Sequence, residues 1–252
     1  MVAGHVGVLE AGLPSGAGPL VHLLGVPTAI LEGIPRHLTD GHARLLGYLA
    51  FNRDGHDRRY VARTLWPDAG EERAEGNLRA AIWRLHRDNL ELVKSDGHML
   101  SLRESVIVDV RLLDDWAARL IAGTPLATDL AWIPRSIDTE AVLPWLSEDW
   151  IDLERQRLQQ RMLLAIECLS RELRLAGRLA EALESALVGC RADPLRESAQ
   201  ATAIEAHLSA GNFLLAQHRY QQYRDRVLEE LGVEPSPELA HRLASRIRGK
   251  NP

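Results

Sequence analysis

The side chains best placed to do chemistry lie on one side of one helix, and the chemistry is recognition rather than catalysis. Residues 71–87 read Glu71-Glu72-Arg73-Ala74-Glu75-Gly76-Asn77-Leu78-Arg79-Ala80-Ala81-Ile82-Trp83-Arg84-Leu85-His86-Arg87. Leu78, Ile82 and Leu85 form a narrow apolar stripe at i, i+4 and i+7, with Ala81 beside it. At about 100° per residue, Asn77, Ala80, Trp83, Arg84 and Arg87 fall on the opposite side, with Arg73 one turn earlier. One face is core. The other offers guanidinium forks, an amide and a large aromatic. An Arg fork matches guanine or phosphate, Asn matches adenine, and an aromatic ring packs on sugar or a thymine methyl.

No catalytic constellation competes with this face. There is no His-Glu-x-x-His, no Cys-x-x-Cys, no Gly-x-Ser-x-Gly and no phosphate-cradling Gly-rich loop. The chain is therefore not expected to be an enzyme, and neither cofactor nor metal is expected. Three Asp-Gly-His tripeptides, at residues 40–42, 54–56 and 96–98, contain metal-ligating types. They stand at unrelated places, and Asp-Gly is a common turn dipeptide, so all three are read as turns. The acid pairs Asp114-Asp115 and Glu229-Glu230 read as solvated helix faces.

The elements that must hold the recognition face follow from their own signals. Asp68-Ala69-Gly70-Glu71 fits a capping box at the start of helix 71–87, and Pro67 ends what precedes it. Residues 57–66 read as a shorter helix with Asp57 as N-cap and with Val61, Leu65 and Trp66 inward. Residues 44–52 form a first helix, with Leu45, Leu46, Tyr48 and Leu49 in the core. Val21–Leu24 and Ala29–Leu31 read as a leading hairpin around Gly25-Val26-Pro27-Thr28. Downstream, residues 92–102 read as strand, tight Asp96-Gly97 turn, strand. Residues 106–110 give a short strand and 112–121 a helix. Short helix, turn, longer helix, hairpin is the order of a winged helix-turn-helix, whose second helix enters a major groove. Lys94 and His98 on the wing, and Arg103 beyond it, then face the backbone or minor groove. Arg79 joins Arg73, Asn77, Trp83, Arg84 and Arg87 as a DNA-contact candidate. Gly76 is an irregularity, because Gly inside a helix costs roughly 1 kcal/mol relative to Ala.

Residues 57–103 resemble the output domain of OmpR-type winged-helix regulators. More closely, they resemble that domain in the SARP family, the antibiotic regulatory protein-type activators of actinobacteria. The strings that carry the likeness are Arg63-Thr64-Leu65-Trp66-Pro67-Asp68, Asn77 through Leu85, and the Gly-centred wing. A second likeness follows in Leu143-Pro144-Trp145 through Trp150-Ile151-Asp152-Leu153-Glu154-Arg155. It matches the entry of the bacterial transcriptional activation domain of the same family. Glu230-Leu231-Gly232-Val233-Glu234-Pro235-Ser236-Pro237-Glu238-Leu239 resembles that domain's closing signature. The resemblance implies two protomers side by side, a homodimer on direct DNA repeats, in contact with RNA polymerase and its sigma factor.

Helical periodicity runs from Trp150 to Arg248. Gly177 and Gly211 are 34 residues apart, as are Ala182 and Ala216, the period of a tetratricopeptide repeat. Pro194 ends one repeat, and Leu228 takes the corresponding place in the next. The flanking helices must cap so short a stack. The expected architecture is mainly α with a small β component: a flexible leader over 1–19 with a strand attempt at Val6–Leu9, a winged helix-turn-helix over 20–110, and a tetratricopeptide-like helical domain over 111–252.

Bulk properties bound this reading. The 252 residues are 46% hydrophobic and 26% charged, an ordinary globular composition. No apolar run approaches the roughly 20 residues needed to span a membrane, and no signal peptide is evident, so a cytoplasmic, nucleoid-associated protein is expected. Cys168 and Cys190 read as reduced, buried thiols. The net charge of −5 does not advertise nucleic acid, and residues 20–110 hold 12 basic against 13 acidic side chains. DNA binding must rest on local charge: between Arg79 and Arg103 five basic residues face three acidic ones. Such a patch binds weakly as a monomer, and repeated sites would offset this by multivalency. The acidic balance favours an alternative, an adaptor whose helical repeats bind a protein while the winged helix does not read DNA.

Overall fold

The computed structural model describes residues 18–248, so most of the expected leader, Val6–Leu9 included, lies outside the described residues. The chain forms two compact units. One holds the described residues up to Asp115 together with Thr139–Leu158; the other holds Trp116–Asp138 and the described residues from Gln159 onward.

In the first unit, β1 (Leu20–His22), β2 (Thr28–Leu31) and β3 (Ile34–His37) form an antiparallel meander. The third strand was not expected. Its turn, Glu32-Gly33, has both residues at positive φ (53° and 80°), as a two-residue type I′ hairpin turn requires. Helix α1 runs over Asp40–Phe51, four residues longer at its start than expected. Thr39 caps it, its hydroxyl accepting from the His42 amide at 3.4 Å. Asp40-Gly41-His42 is therefore a first helical turn, a correction to the turn reading. The other two tripeptides do sit in turns, with Gly55 and Gly97 at positive φ.

A two-residue strand β4 (His56–Asp57) leads into α2 (Arg58–Leu65). Asp57 caps α2 as expected, accepting from the Arg59 and Tyr60 amides at 2.9 and 3.2 Å. Helix α3 then spans Glu71–Arg87 without a break at Gly76. Its cap differs from expectation: Gly70 is the N-cap and no side chain bonds the first turn. With Gly70 in that place Glu71 is the first helical residue, two residues short of the third position where a capping box needs its Glu. Glu71 and Glu72 instead face the positive end of the helix dipole. The buried stripe is Ala74, Leu78, Ala81 and Leu85, while Ile82 is only half-buried.

Strands β5 (Val93–Asp96) and β6 (Met99–Leu102) form the wing, and β6 also pairs with β4. Asp96 pairs with Met99, so the two central turn residues are Gly97 and His98, one step later than expected. Gly97 takes φ +58° at the first of them. Strand β7 (Ile107–Val108) runs parallel to β1. Asp109 and Val110, read from sequence as strand, open helix α4 (Asp109–Ile121). The reason is the Asp109 carboxylate, which accepts from the amides of Leu23, Leu24 and Val110 at 2.7–2.9 Å.

The rest of the first unit is the stretch carrying Leu143 to Arg155, which ends in the first turns of α5 (Asp149–Leu175). Residues 141–143 hydrogen-bond along Leu23–Gly25. The Leu143 side chain sits where a Cβ on Gly47 of α1 would collide, at 2.6 Å.

In the second unit, the end of α5 is followed by α6 (Leu179–Ala192), α7 (Glu197–Ser209), α8 (Phe213–Leu231) and α9 (Pro237–Arg248). Connections this short make consecutive helices antiparallel neighbours. Gly177 and Gly211 both take φ +76° in the turns, and Ala182 and Ala216 are buried where helices meet. Gly232 ends α8 in the left-handed conformation. Ile204, Leu208, Tyr223, Val227, Leu239 and Leu243 form one core cluster, in which α9 closes the stack. Cys190 is buried and Cys168 half-buried, both as free thiols. The loop over 122–138 is ordered by the Arg119 fork on Asp129, at 2.7 and 2.8 Å, and by Trp116 edge-on to Trp132. Among the described residues no helix is long and apolar enough to cross a membrane.

Candidate nucleic-acid interface

Helix α3 is held by its apolar side against α1 and α2, and this leaves the opposite side open. Arg73, Arg79, Trp83, Arg84 and Arg87 are exposed, and Asn77 is half-buried. Trp83 is 60% exposed, far from the burial a structural Trp attains. The structure thus brings the six helix candidates onto one solvent-facing side.

Their donors are not equally committed. Arg79 lies 3.7 Å from Glu75, which Arg59 also approaches at 3.4 Å. Arg87 donates to the Asp88 carboxylate at 2.9 Å and stacks its guanidinium 5.2 Å from the Trp83 ring centroid. That bond holds Asp88 below the usual carboxylate range. Arg73 and Arg84 have no hydrogen bond or ion pair among the described residues, so their forks meet a ligand without first breaking a pair.

The wing is tied to α2 rather than free. Arg58 donates to the Ser95 hydroxyl at 2.7 Å, and its amide donates to the His98 carbonyl at 2.8 Å. Lys94 and the His98 ring remain exposed. Arg103 is drawn to Glu91 at 3.2 Å, just past the wing.

Several contributors carry no signal in the helical pattern. Arg36 on β3 donates at 3.2 Å to the carbonyl of Asp88, the C-cap of α3. Arg44 stacks on Trp66 at 5.4 Å, donates to the Leu65 carbonyl at the end of α2, and pairs with Glu148 at 2.6 Å. It thereby fixes the turn between α2 and α3. Exposed Arg63, at the end of α2, adds a cation on the helix that crosses the DNA backbone in such motifs. It stands inside the string Arg63–Asp68, the one sequence signal that could have singled it out. His42 is buried near Asp88 (3.7 Å) with neither ring nitrogen hydrogen-bonded. Burial depresses its pKa; Asp88 opposes this, and Arg84 and Arg87 add to it. It therefore adds no charge to the face at neutral pH.

Residues 138–248 match the family model described as the bacterial transcriptional activator domain. The fold of 93% of the chain is similar to Mycobacterium tuberculosis EmbR, a SARP-family regulator solved in complex with a low-affinity phosphopeptide, with a TM-score of 0.68 and 16% identity. The chain thus carries a bacterial transcriptional activator domain over residues 138–248. It covers 66% of the EmbR chain, and the likeness at that identity is one of fold. No curated protein matches it by sequence. That activator domain is a module of transcriptional regulators rather than of enzymes.

Proposed function

We propose that this chain is a SARP-type transcriptional activator that binds promoter DNA sequence-specifically, with α3 in the major groove and the wing on the neighbouring backbone. Two protomers occupy direct repeats side by side, and the helical domain recruits RNA polymerase and its sigma factor. It acts in the cytoplasm, on the nucleoid. The observation that carries the reading is the outward side of α3, where uncommitted Arg73 and Arg84 flank a 60% exposed Trp83. Exposed guanidiniums without internal partners are what a polyanion recruits. Asn77 and Arg84 carry base reading; Lys94, His98, Arg103 and Arg79 serve phosphates.

In vitro selection of duplex DNA on the full chain tests this, with the Arg84→Ala/Arg87→Ala double variant alongside. The expected outcome is an enriched direct repeat spaced by about one helical turn, lost in the variant. No enrichment at low salt sinks the reading. It would favour the adaptor alternative, for which the net charge of −5 is the supporting observation.

A further inference from the structure

We infer that the groove bounded by α6, α7 and α8 binds an acidic, extended peptide segment of a partner protein, anchored on Arg219 and Arg191. The groove has a volume of about 840 Å³ and a lining more polar than apolar. Arg219 projects from α8 into it, and no carboxylate pairs with this arginine among the described residues. Its Nε is fully buried without a hydrogen-bond partner. Its neighbours are the Cys190 thiol, whose pKa burial raises while the Arg219 charge and a hydrogen bond from Arg219 oppose this, and His207, whose pKa is lowered by burial with Arg219 adding to the effect. Arg191 stands next to Cys190 and makes only a long contact, 3.5 Å, to the Arg135 carbonyl. Two guanidiniums thus share one end of the groove without a counter-charge. Arg219 is half-buried and Arg191 exposed, so an incoming carboxylate reaches both, and a guanidinium fork selects carboxylate geometry.

The far end is different. Arg226 is matched by Glu230 at 3.7 Å, and Asp225 accepts from Gln221 at 2.8 Å. The lining acids Asp225 and Glu229 lie about 9 and 15 Å along the helix axis from Arg219 at 1.5 Å per residue. The excess positive charge is therefore confined to one end of a trough about 15 Å long, the span of four or five extended residues at about 3.3 Å each. A drug-sized molecule favours an enclosed, mostly apolar cavity. This open trough, with the Gln222 amide along it, offers a donor and an acceptor to a peptide backbone instead. The site is independent of the DNA-binding face.

The test uses the full chain and a fluorescein-labelled hexapeptide of alternating Glu and Ser, followed by anisotropy at low salt. Saturable binding is expected, weakened at least tenfold by Arg219→Gln and at least threefold by Arg191→Gln. Arg73→Gln on the DNA-binding side should leave it unchanged. Arg191 is exposed, so its variant remains informative if Arg219→Gln disturbs folding. The matching Lys-Ser peptide should not bind. Equal affinity in the wild type and both groove variants overturns the proposal. So does an absence of binding up to millimolar peptide. Competition by acetate or inorganic phosphate as effective as by the peptide would also overturn it, reducing the site to a simple anion subsite.

Discussion

Two stretches of the first unit use the same residue types to opposite ends. On α3, Trp83 is exposed and the forks of Arg73 and Arg84 make no internal bonds among the described residues. In the segment ending in α5, Trp150 packs edge-on against Tyr48 at 5.4 Å and donates its Nε1–H to Glu148 at 2.6 Å. Arg155 is 4% exposed. It donates to the Val142 and Leu143 carbonyls at 2.7–3.1 Å and to Asp152 at 2.7 Å. Leu143, held by these bonds, takes a left-handed φ of 47° that a branched side chain avoids. An arginine whose donors are all satisfied inside the protein is scaffold. One whose donors are open is available to a ligand. Residue type alone does not separate the two, and the partners do.

The largest consequence falls on the scaffold side. Arg155→Ala leaves the Val142 carbonyl without a donor, leaves the Leu143 carbonyl to the Leu146 amide alone, and vacates the space of a buried side chain. The expected loss is ~3–5 kcal/mol of folding stability, read by chemical denaturation. Arg155→Lys should recover only part, because one ammonium cannot reproduce the fork. A loss under ~1 kcal/mol would mean these bonds are not what fixes Leu143, and the contrast with α3 would fail.

The converse holds on α3. Arg84→Ala should weaken operator binding by ~1–3 kcal/mol while moving stability by no more than ~0.5 kcal/mol. Arg87→Ala should cost less binding than Arg84→Ala, since the Arg87 fork has to leave Asp88 before it meets DNA. Titrations on the selected operator at several salt concentrations would rank the two variants, and the reverse order would contradict the assignment of open and committed donors.

A third consequence separates scaffold from recognition by pH. Asp109 is fully buried, and burial outweighs its backbone hydrogen bonds and the nearby His22, pushing its pKa up to about 6 from 3.8. A carboxyl group whose folded pKa is raised holds a proton that the unfolded chain has released. Its stabilising contribution is full below the unfolded value and is lost as pH rises through about 6. Between pH 4 and 6 the slope of stability against pH should therefore be more negative in the wild type than in Asp109→Asn, by at most ~1.4 kcal/mol per pH unit. Parallel curves for the two proteins would show that the group does not titrate there.

Much of this organisation was legible in the sequence, and the gaps share a cause. The fold class and the 34-residue spacing of the helical domain followed from period, turn glycines and Pro signals, while the likeness to SARP-type activators rested on particular strings such as Arg63–Asp68 and Glu230–Leu239. The errors came where a partner that the local pattern does not name decides the structure, whether distant in the chain or the cap beside it. Asp109-Val110 continues a β-favouring run, yet the Leu23 and Leu24 amides recruit the Asp109 carboxylate and start a helix. Asp40-Gly41-His42 looks like a turn until the preceding Thr39 caps it. The Asp68 box is misplaced because its residues fit the motif two positions before the observed cap, Gly70. The face of α3 was visible from angular spacing, but the commitment of Arg87 to Asp88 and of Arg103 to Glu91 was not. Those pairs depend on rotamers and on chain crossings that spacing does not encode. The Arg219 groove left no sequence signal, because it is assembled from three helices.

The smallest effect tests what the recognition helix gives up. Gly76 is mid-helix on the outward side of α3, and a Cβ there would meet only the Arg79 guanidinium, at 3.7 Å. Nothing inside the protein requires a glycine at that position, and its φ is helical. Replacing it with Ala should therefore raise stability by ~0.5–1 kcal/mol through helix propensity alone. If α3 lies deep in the major groove, the missing Cβ lets the backbone approach the DNA closely, and Gly76→Ala should at the same time weaken operator binding several-fold. Thermal unfolding and operator titration on the same preparation read both effects. A variant that is more stable and binds equally well would place the contact surface further along the helix, towards Arg84 and Arg87. A variant that is more stable but binds less well would mean the glycine is kept for the DNA at the expense of the fold, the trade the open and committed arginines already describe.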